Sequence, residues 1–300
     1  MKIIFHILVL LSLASCTANT TKDINKTTMK KKDIATVYKA APPKRSIPKY
    51  KVKKVSYNID DTTYMASGFN ERVQFIVLHY TAAGRDVSIR ALTGPRVSSH
   101  YLVTDVPSEP IYQLLPENKR AWHAGVSEFQ ERSNINDTSI GIEVVNPGYR
   151  ESGGKRIYTH FKESEILKVG ELLRNITSRY DMDPTKIIGH SDIAPDRKQD
   201  PGPLFPWKRL YYEYGVGAWY DEDAFNVYYD ESYYALISTA DIQKLFKRYG
   251  YSIIVNGEWD EYNKKVVGAF QKHFRPSLYN GEMDLETFAI LMALIKKYNK

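Results

Sequence analysis

The chain from Ile187 to Pro203 reads IIGHSDIAPDRKQDPGP, and this stretch decides much of the fold. A short apolar run leads into His190, and Asp200 follows ten residues later beside two prolines and a glycine. Proline and glycine restrict or bend the backbone, so the loop can return over the end of the apolar run. We therefore expect His190 and Asp200 to meet at one rim of a sheet.

A second apolar run has the same form, because Phe75-Ile76-Val77-Leu78 leads directly into His79. Both runs predict buried strands, and further strands are predicted over 101–103, 111–114 and 140–145. Apolar residues recur at helical spacing from 166 to 180, which predicts a helix after these strands. Strands and helices on one sheet indicate an α/β domain over residues 57–215.

The sequence after this domain changes in character twice. Residues 216–237 form an acidic, Tyr-rich junction, a composition used more often for packing between domains than for stacking on sugars. From Ser238 onward, three apolar stripes predict three helices, with a cap at Ser238 and an end of the first helix at Gly250. Each helix would be marginal alone, so residues 238–300 are expected to pack into a small three-helix domain.

The charge of the chain is unevenly distributed. There are 42 Lys and Arg residues against 35 Asp and Glu, and twelve of the basic residues lie within residues 17–56. The folded part is therefore mildly acidic, and we expect no nucleic-acid partner, because such a partner needs basic residues on the folded surface. The single cysteine excludes a disulfide framework and a cysteine-rich zinc module.

The N-terminus has the form of a secretory signal. A lysine at position 2 is followed by an apolar run from Ile3 to Leu11, which is too short to span a membrane. The run ends in Leu13-Ala14-Ser15-Cys16, which resembles the lipobox of bacterial lipoproteins. An ordinary signal peptide with an incidental cysteine is the alternative.

The lipobox resemblance implies a location as well as a processing step. Residues 1–15 would be a lipoprotein signal peptide, and Cys16 would be lipidated after cleavage. Residues 16–56 would form a basic flexible tether, since their composition cannot bury enough apolar surface to fold. The lipid anchor would hold the protein in the outer membrane, facing the periplasm, with Thr17 rather than Asp after the cysteine favouring that sorting.

Two histidines and one carboxylate at a strand rim are the ligand set of a catalytic zinc ion. Three protein ligands leave the fourth tetrahedral position to water, whereas a structural zinc ion is enclosed by protein. From the residues alone, His79 and His190 are equally well explained as hydrogen-bonded side chains at strand ends.

Five motifs in the same order resemble the zinc-dependent N-acetylmuramoyl-L-alanine amidases of the amidase-2 group. They are His79-Tyr80-Thr81, Ser98-Ser99-His100-Tyr101, Trp122-His123-Ala124-Gly125, Ser139-Ile140-Gly141-Ile142-Glu143 and the string from Gly189 to Pro203. The resemblance implies a mixed central sheet flanked by helices, as in T7 lysozyme and peptidoglycan recognition proteins. It also implies hydrolysis of the amide between N-acetylmuramic acid and L-alanine in peptidoglycan. Residues 238–300 are similar, through shorter motifs, to a peptidoglycan-binding domain that binds the wall or braces the catalytic domain.

The resemblance also implies a role for each matching residue. His79, His190 and Asp200 would ligate Zn²⁺, with Glu143 as general base and acid. Lys198 would place a positive charge beside the developing oxyanion.

Five further residues are expected to bind substrate or to support the loop that follows His190. Trp122 would offer a stacking face and His123 a hydrogen bond. Asn146 and Arg197, together with Asp192, would support the loop or bind substrate carboxylates.

Two other functions remain open at this point. A non-catalytic peptidoglycan-binding protein could use the same cleft, although the complete ligand set, Glu143 and Lys198 count against it. A metallo-endopeptidase could cut within the stem peptide. Mass spectrometry of digested sacculi separates these functions, because only an amidase releases stem peptides that begin with L-alanine.

Overall fold

The computed structural model describes residues 58–64, 66–68 and 70–298. Residues 58–64 belong to a separate unit from residues 66–298, and all elements below belong to the second. The expected signal peptide, the lipidation site Cys16 and the tether lie outside the described residues. Within the described part of the chain, no helix combines the length and the apolar character needed to cross a membrane.

The described regular structure comprises short strands and mostly short helices. The strands are β1 (Phe75–Tyr80), β2 (Tyr101–Val103), β3 (Tyr112–Gln113), β4 (Glu128–Phe129), β5 (Arg132–Ser133), β6 (Ser139–Val144), β7 (Tyr149–Ser152), β8 (Lys155–Tyr158) and β9 (Ile187–Gly189). The helices are α1 (Arg85–Leu92), α2 (Glu163–Tyr180), α3 (His190–Ile193), α4 (Trp207–Tyr214), α5 (Glu222–Tyr228), α6 (Glu231–Leu236), α7 (Thr239–Tyr249), α8 (Glu261–Phe274) and α9 (Leu285–Tyr298).

A five-stranded sheet in the order β3-β2-β6-β1-β9 organises the first part of this unit. The pairs β1–β6, β1–β9 and β2–β6 are parallel, and β3 is antiparallel to β2. The apolar run at the start of β1 is buried on both faces, as a central parallel strand requires. The prediction of a mixed sheet flanked by helices is confirmed.

The predicted helices form, and their ends follow the expected chemistry. In α2, Val169, Leu173 and Ile176 bury one stripe against the sheet. The Ser238 hydroxyl caps α7 by accepting the Asp241 amide proton at 3.2 Å. The chain leaves α7 at Gly250, where φ is +140°, outside the range that side chains favour.

The Tyr-rich segment 216–237 contains the two short helices α5 and α6. These helices pack against α9, and Phe225 and Tyr234 contact the core. The predicted strand over 111–114 shortens to Tyr112–Gln113 at the sheet edge.

The C-terminal helices and the sheet share one continuous hydrophobic core. The Phe129 and Tyr251 rings meet edge to face with centroids 5.4 Å apart, and the Gln130 amide donates to the Gly250 carbonyl at 2.7 Å. Helix α3, which begins at His190, packs against α8. The C-terminal helices therefore cover the element that carries a candidate ligand.

Candidate active site

Three parallel strands end at one rim and bring the predicted polar residues into one row. His79 on β1 is the register partner of Glu143 on β6. On the other side of β1, Leu78 pairs with Gly189 of β9, so His190 follows at the level of His79. Parallel strands carry their sites at their carboxyl ends, and this row occupies that position.

His79, His190 and Asp200 form a compact triangle of ligand atoms. The Nδ1 atoms of the two histidines are 2.9 Å apart, and Asp200 Oδ2 lies 2.8 Å from the first and 3.0 Å from the second. All three side chains are buried. A tetrahedral ion with ligand bonds of about 2.0 Å separates its ligand atoms by about 3.3 Å, only slightly more than these distances. The triangle therefore fits a small cation. Among the described residues, it is the cluster of His, Cys, Asp or Glu side chains whose ligand atoms lie close enough to hold a metal ion.

Hydrogen bonds on the far side of each imidazole fix which nitrogen carries the proton. His190 Nε2 lies 3.1 Å from the Ala124 carbonyl, which can only accept, so the proton is on Nε2. For His79, the assignment passes through His123. The Ser139 hydroxyl donates to the Ile135 carbonyl at 2.7 Å, so it must accept the hydrogen bond from His123 Nε2 at 3.1 Å. His123 therefore carries its proton on Nε2, and its Nδ1 accepts from His79 Nε2 at 3.0 Å.

Both Nδ1 atoms therefore direct lone pairs toward each other and toward the carboxylate of Asp200. Burial lowers the pKa of His79 to about 4, with the adjacent His190 acting in the same direction. Two lone pairs and an anion packed this closely repel one another unless a cation lies between them.

The Trp122–Gly125 segment supports both candidate histidine ligands, His79 and His190, at once. Its backbone is held by Asn136, whose Oδ1 accepts from the amides of His123 at 3.1 Å and Ala124 at 2.8 Å. The His123 ring reaches His79 only because residue 141 is glycine: a Cβ there would lie 2.5 Å from the ring.

A cleft of about 420 Å³ opens over the row of polar residues. Glu143 and Lys198 line it together with the three candidate ligand residues. Burial raises the pKa of Glu143 to about 8, the charge of Asp200 adds to the rise, and Lys198 lowers the pKa. The Glu143 Oε2 atom is buried, and no described residue gives it a hydrogen bond. The cleft thus holds a free carboxylate beside the candidate metal site.

The four predicted substrate-binding residues differ from one another in their surroundings: three line the cleft and one does not. Trp122 lines the cleft with 51% of its surface exposed, as a stacking face requires. His123 also lines the cleft, but both of its ring nitrogens are engaged by protein, which leaves none for a substrate. Arg197 lines the cleft while its Nη2 donates to the carbonyls of Ala124, at 2.5 Å, and Val126.

Asn146 lies apart from the residues that line the cleft. Its side chain is buried, with Nδ2 donating to the carbonyls of Thr159 and His160 and Oδ1 accepting from the Gly148 amide. These contacts hold the segments around residues 148 and 159–160, and none of them joins Asn146 to the loop that follows His190.

Asp192 is held in place by hydrogen bonds to Gly189 and to two residues that no motif contained, Tyr251 and His273. Its Oδ2 accepts from the Gly189 amide at 2.7 Å and from His273 Nδ1 at 2.8 Å, and its Oδ1 accepts from the Tyr251 hydroxyl at 2.7 Å. His273 also stacks on Trp207 with ring centroids 3.9 Å apart. The C-terminal helices thus hold the start of α3 next to His190.

Two family descriptions match this chain. Residues 69–203 match the family described as N-acetylmuramoyl-L-alanine amidase, and residues 238–291 match a putative peptidoglycan binding domain.

Relatives match over most of the chain. The N-acetylmuramoyl-L-alanine amidase AmiD of Escherichia coli strain K12 is 43% identical over 255 residues, which are 83% of this chain and 91% of that protein. A solved complex of E. coli AmiD with anhydro-N-acetylmuramic acid-L-Ala-D-γ-Glu-L-Lys matches with a TM-score of 0.75 and 42% identity, over 82% of this chain and 97% of that one. AMPDH3 from Pseudomonas aeruginosa, in complex with anhydromuramic pentapeptide, matches with a TM-score of 0.75 and 43% identity, over 81% of this chain and 99% of that one.

Proposed function

Because this chain belongs to the N-acetylmuramoyl-L-alanine amidases, we propose that its cleft works with one zinc ion held by His79, His190 and Asp200. The enzyme hydrolyses the amide bond between N-acetylmuramic acid and L-alanine in peptidoglycan. The observation that carries the zinc proposal is the pair of Nδ1 lone pairs directed at Asp200 in a buried triangle. Two imidazole nitrogens and one carboxylate with an open cleft above them are the donor set of catalytic zinc.

Zinc in such a site supplies a Lewis acid, which lowers the pKa of a coordinated water and polarises a carbonyl. The protein supplies the other parts of the reaction. Glu143, with a free carboxylate oxygen in the cleft, accepts the proton of the attacking water and returns it to the amine of the departing L-alanine. Lys198 lines the same cleft and stabilises the negative charge on the lactyl carbonyl oxygen as the tetrahedral intermediate forms.

His123 and Arg197 have positioning roles in this proposal. His123 holds the His79 ring so that Nδ1 faces the ion, and a hydrogen bond of this kind raises the basicity of a ligand. Arg197 holds the backbone that bonds to His190. Trp122 contacts the substrate by stacking, since half of its surface is exposed in the cleft.

The substrates are muropeptides of the cell wall. Two similar solved structures hold anhydro-muramyl peptides, which supports a substrate with a peptide stem. The match of residues 238–291 to a putative peptidoglycan binding domain supports a second contact with the wall, beside the bracing contacts to α3. We assign the catalytic part to residues 57–215 and the second contact to residues 238–300.

The anchor and the location are part of the proposal. The signal-like residues 1–15 and the lipobox at Cys16 support a lipoprotein held in the outer membrane and facing the periplasm, where peptidoglycan lies. A Cys16→Ser variant should lose incorporation of labelled fatty acid and leave the membrane fraction. Retention of both would contradict the anchor.

Metal removal and restoration test the zinc proposal against the non-catalytic alternative. A chelator should abolish release of L-alanine stem peptides from sacculi, and one equivalent of Zn²⁺ per chain should restore it. A protein that binds sacculi but releases no peptide, even with zinc present, would support the alternative.

A further inference from the structure

A second cavity of about 640 Å³ lies beside the active-site cleft, between the catalytic part and the C-terminal helices. We call it the interlobe cavity. Its walls come from β8, the loop 195–199, helix α8 and the loop 279–282. Gln199, one residue before the candidate ligand Asp200, lines both the cleft and the interlobe cavity. The two spaces are therefore neighbours across a single side chain.

Aromatic rings connect the two spaces. Tyr149 lines the active-site cleft, and its ring centroid lies 5.4 Å from that of Tyr158, which lines the interlobe cavity. Tyr158 in turn meets Tyr279 edge to face at 6.0 Å on the far wall. The guanidinium of Arg156 lies 4.8 Å over the Tyr149 ring. The row of rings therefore runs from the wall of the active-site cleft to the far wall of the interlobe cavity.

A largely buried cation, Lys272, lines the interlobe cavity. Lys272 on α8 is only 8% exposed, and among the described residues it has no hydrogen bond and no ion pair. The other basic residues of the walls include Lys264, which pairs with Glu282 at 3.2 Å, and Arg156, which pairs loosely with Glu151 at 3.8 Å. The hydroxyl of Tyr158 is also buried without a partner. Buried polar groups are normally satisfied, so the Tyr158 hydroxyl, beside an ammonium that has no hydrogen bond, indicates a ligand at this cavity.

The chemistry of these groups selects the ligand. An ammonium and a phenol hydroxyl both donate hydrogen bonds, and a carboxylate accepts them. Burial lowers the pKa of Lys272 to about 8, although the charge of Asp192 acts in the opposite direction, so the residue remains mostly cationic at neutral pH. Three carboxylate residues, Asp196, Glu261 and Glu282, also border the cavity, which disfavours a dianionic phosphate.

We propose that Lys272, with Arg156 and Tyr158, binds a carboxylate of the stem peptide whose muramyl amide lies at the metal site. This inference rests on the proposed function, because it extends the same substrate across Gln199 into the interlobe cavity. Stem peptides with a γ-linked glutamate carry two such groups, the glutamate α-carboxylate and the carboxylate of the last residue. A stem of three to five residues extends about 10–17 Å, enough to bridge adjacent cavities.

Cleavage of three substrates by the zinc-loaded full chain tests the inference. The substrates are muramyl-L-Ala-D-γ-Glu-L-Lys, its α-amidated form and its C-terminally amidated form. Lys272→Met should raise KM at least about 10-fold for the free acid while kcat changes less than twofold. Amidation of the carboxylate that Lys272 binds should raise KM of the wild-type protein by a similar factor. With that amidated substrate, the wild-type protein and Lys272→Met should have the same KM. Lys247→Met, at an exposed position on α7, is the matched control and should change nothing.

The outcomes identify the group or overturn the inference. A substitution effect that vanishes with one amidated substrate assigns that carboxylate to Lys272. Equal weakening of all three substrates, or no weakening, with the thermal transition unchanged, overturns the inference. Calorimetry with the stem peptide alone measures binding at the carboxylate site without any amide cleavage. It therefore tests the carboxylate site separately from the amidase mechanism. Charge-dependent binding without any cleavage by the wild-type protein would contradict the amidase mechanism and still support the carboxylate site.

Discussion

His79 and Glu143 are register partners on the adjacent parallel strands β1 and β6. One side chain presents Nδ1 to the candidate metal site, and the other presents an unpartnered carboxylate oxygen to the cleft. Because sheet pairing sets their spacing, the candidate ligand and the proposed proton acceptor are held by main-chain hydrogen bonds rather than by a loop. This rigidity is what a hydrolytic site requires, since catalytic groups act only when their geometry is maintained.

His123→Ala should weaken zinc binding about 10- to 100-fold, because the variant removes the hydrogen bond that orients His79. Competition with a chromophoric zinc chelator measures the change. Excess zinc should restore most of the peptide release, since both ring nitrogens of His123 bond to protein rather than to substrate. His160→Ala is the control, because this histidine is exposed and lies outside the cleft. Unchanged zinc affinity in His123→Ala would contradict the positioning role.

Gly141→Ala should displace His123 and lower both zinc affinity and the melting temperature, because the new Cβ would lie 2.5 Å from the ring. Overpacking of this kind costs about 1–3 kcal/mol. Differential scanning calorimetry measures the stability. Gly84→Ala is the matched control, since Gly84 has ordinary backbone angles and a methyl group there would have no atom within 4 Å. Equal behaviour of the two variants would show that the close approach of His123 is unimportant.

Lys198→Met should move the acid limb of the pH profile of kcat/KM to higher pH. Lys198 lowers the pKa of Glu143, so its loss raises that pKa, and a higher pH is then needed to ionise the carboxylate. The rate on the plateau should also fall, because the oxyanion loses a positive charge. A shift to lower pH, or a plateau rate equal to that of the wild-type protein, would exclude Lys198 from this role.

Tyr251→Phe should destabilise the protein by about 1–2 kcal/mol, because the buried carboxylate of Asp192 loses one of its three hydrogen bonds. Urea denaturation gives the free energy of unfolding. Tyr229→Phe, at an exposed position, is the control and should be neutral. If Tyr251→Phe leaves stability and zinc affinity unchanged, the C-terminal helices do not brace the metal loop through Asp192.

Local sequence patterns predicted the parts of the site that depend on nearby residues. The apolar runs before His79 and His190 predicted strands that end at one rim, and Ser238 predicted the start of α7; all of these are present. Asp200 lies only ten residues from His190. The resemblance to a family added Glu143 and Lys198, which no spacing rule singles out.

The remaining contacts depend on residues that are distant in sequence. His123 was expected to face the substrate, but its partners, 44 and 16 residues away, turn both ring nitrogens toward protein. His273 lies outside every motif, yet it reaches Asp192 across 81 residues. Hydrogen-bond partners of this kind follow from the packing of whole elements, which residue patterns along one chain do not specify.

The most direct test of the zinc amidase mechanism is the mass spectrum of peptides released from purified sacculi by the wild-type protein and by Glu143→Gln, each carrying one zinc ion. We expect stem peptides with a free L-alanine amino terminus from the wild-type protein. With Glu143 as the proton acceptor, release by Glu143→Gln should be at least about 100-fold slower at equal zinc content. Release at the wild-type rate by Glu143→Gln, or products cut within the stem peptide, would contradict the mechanism.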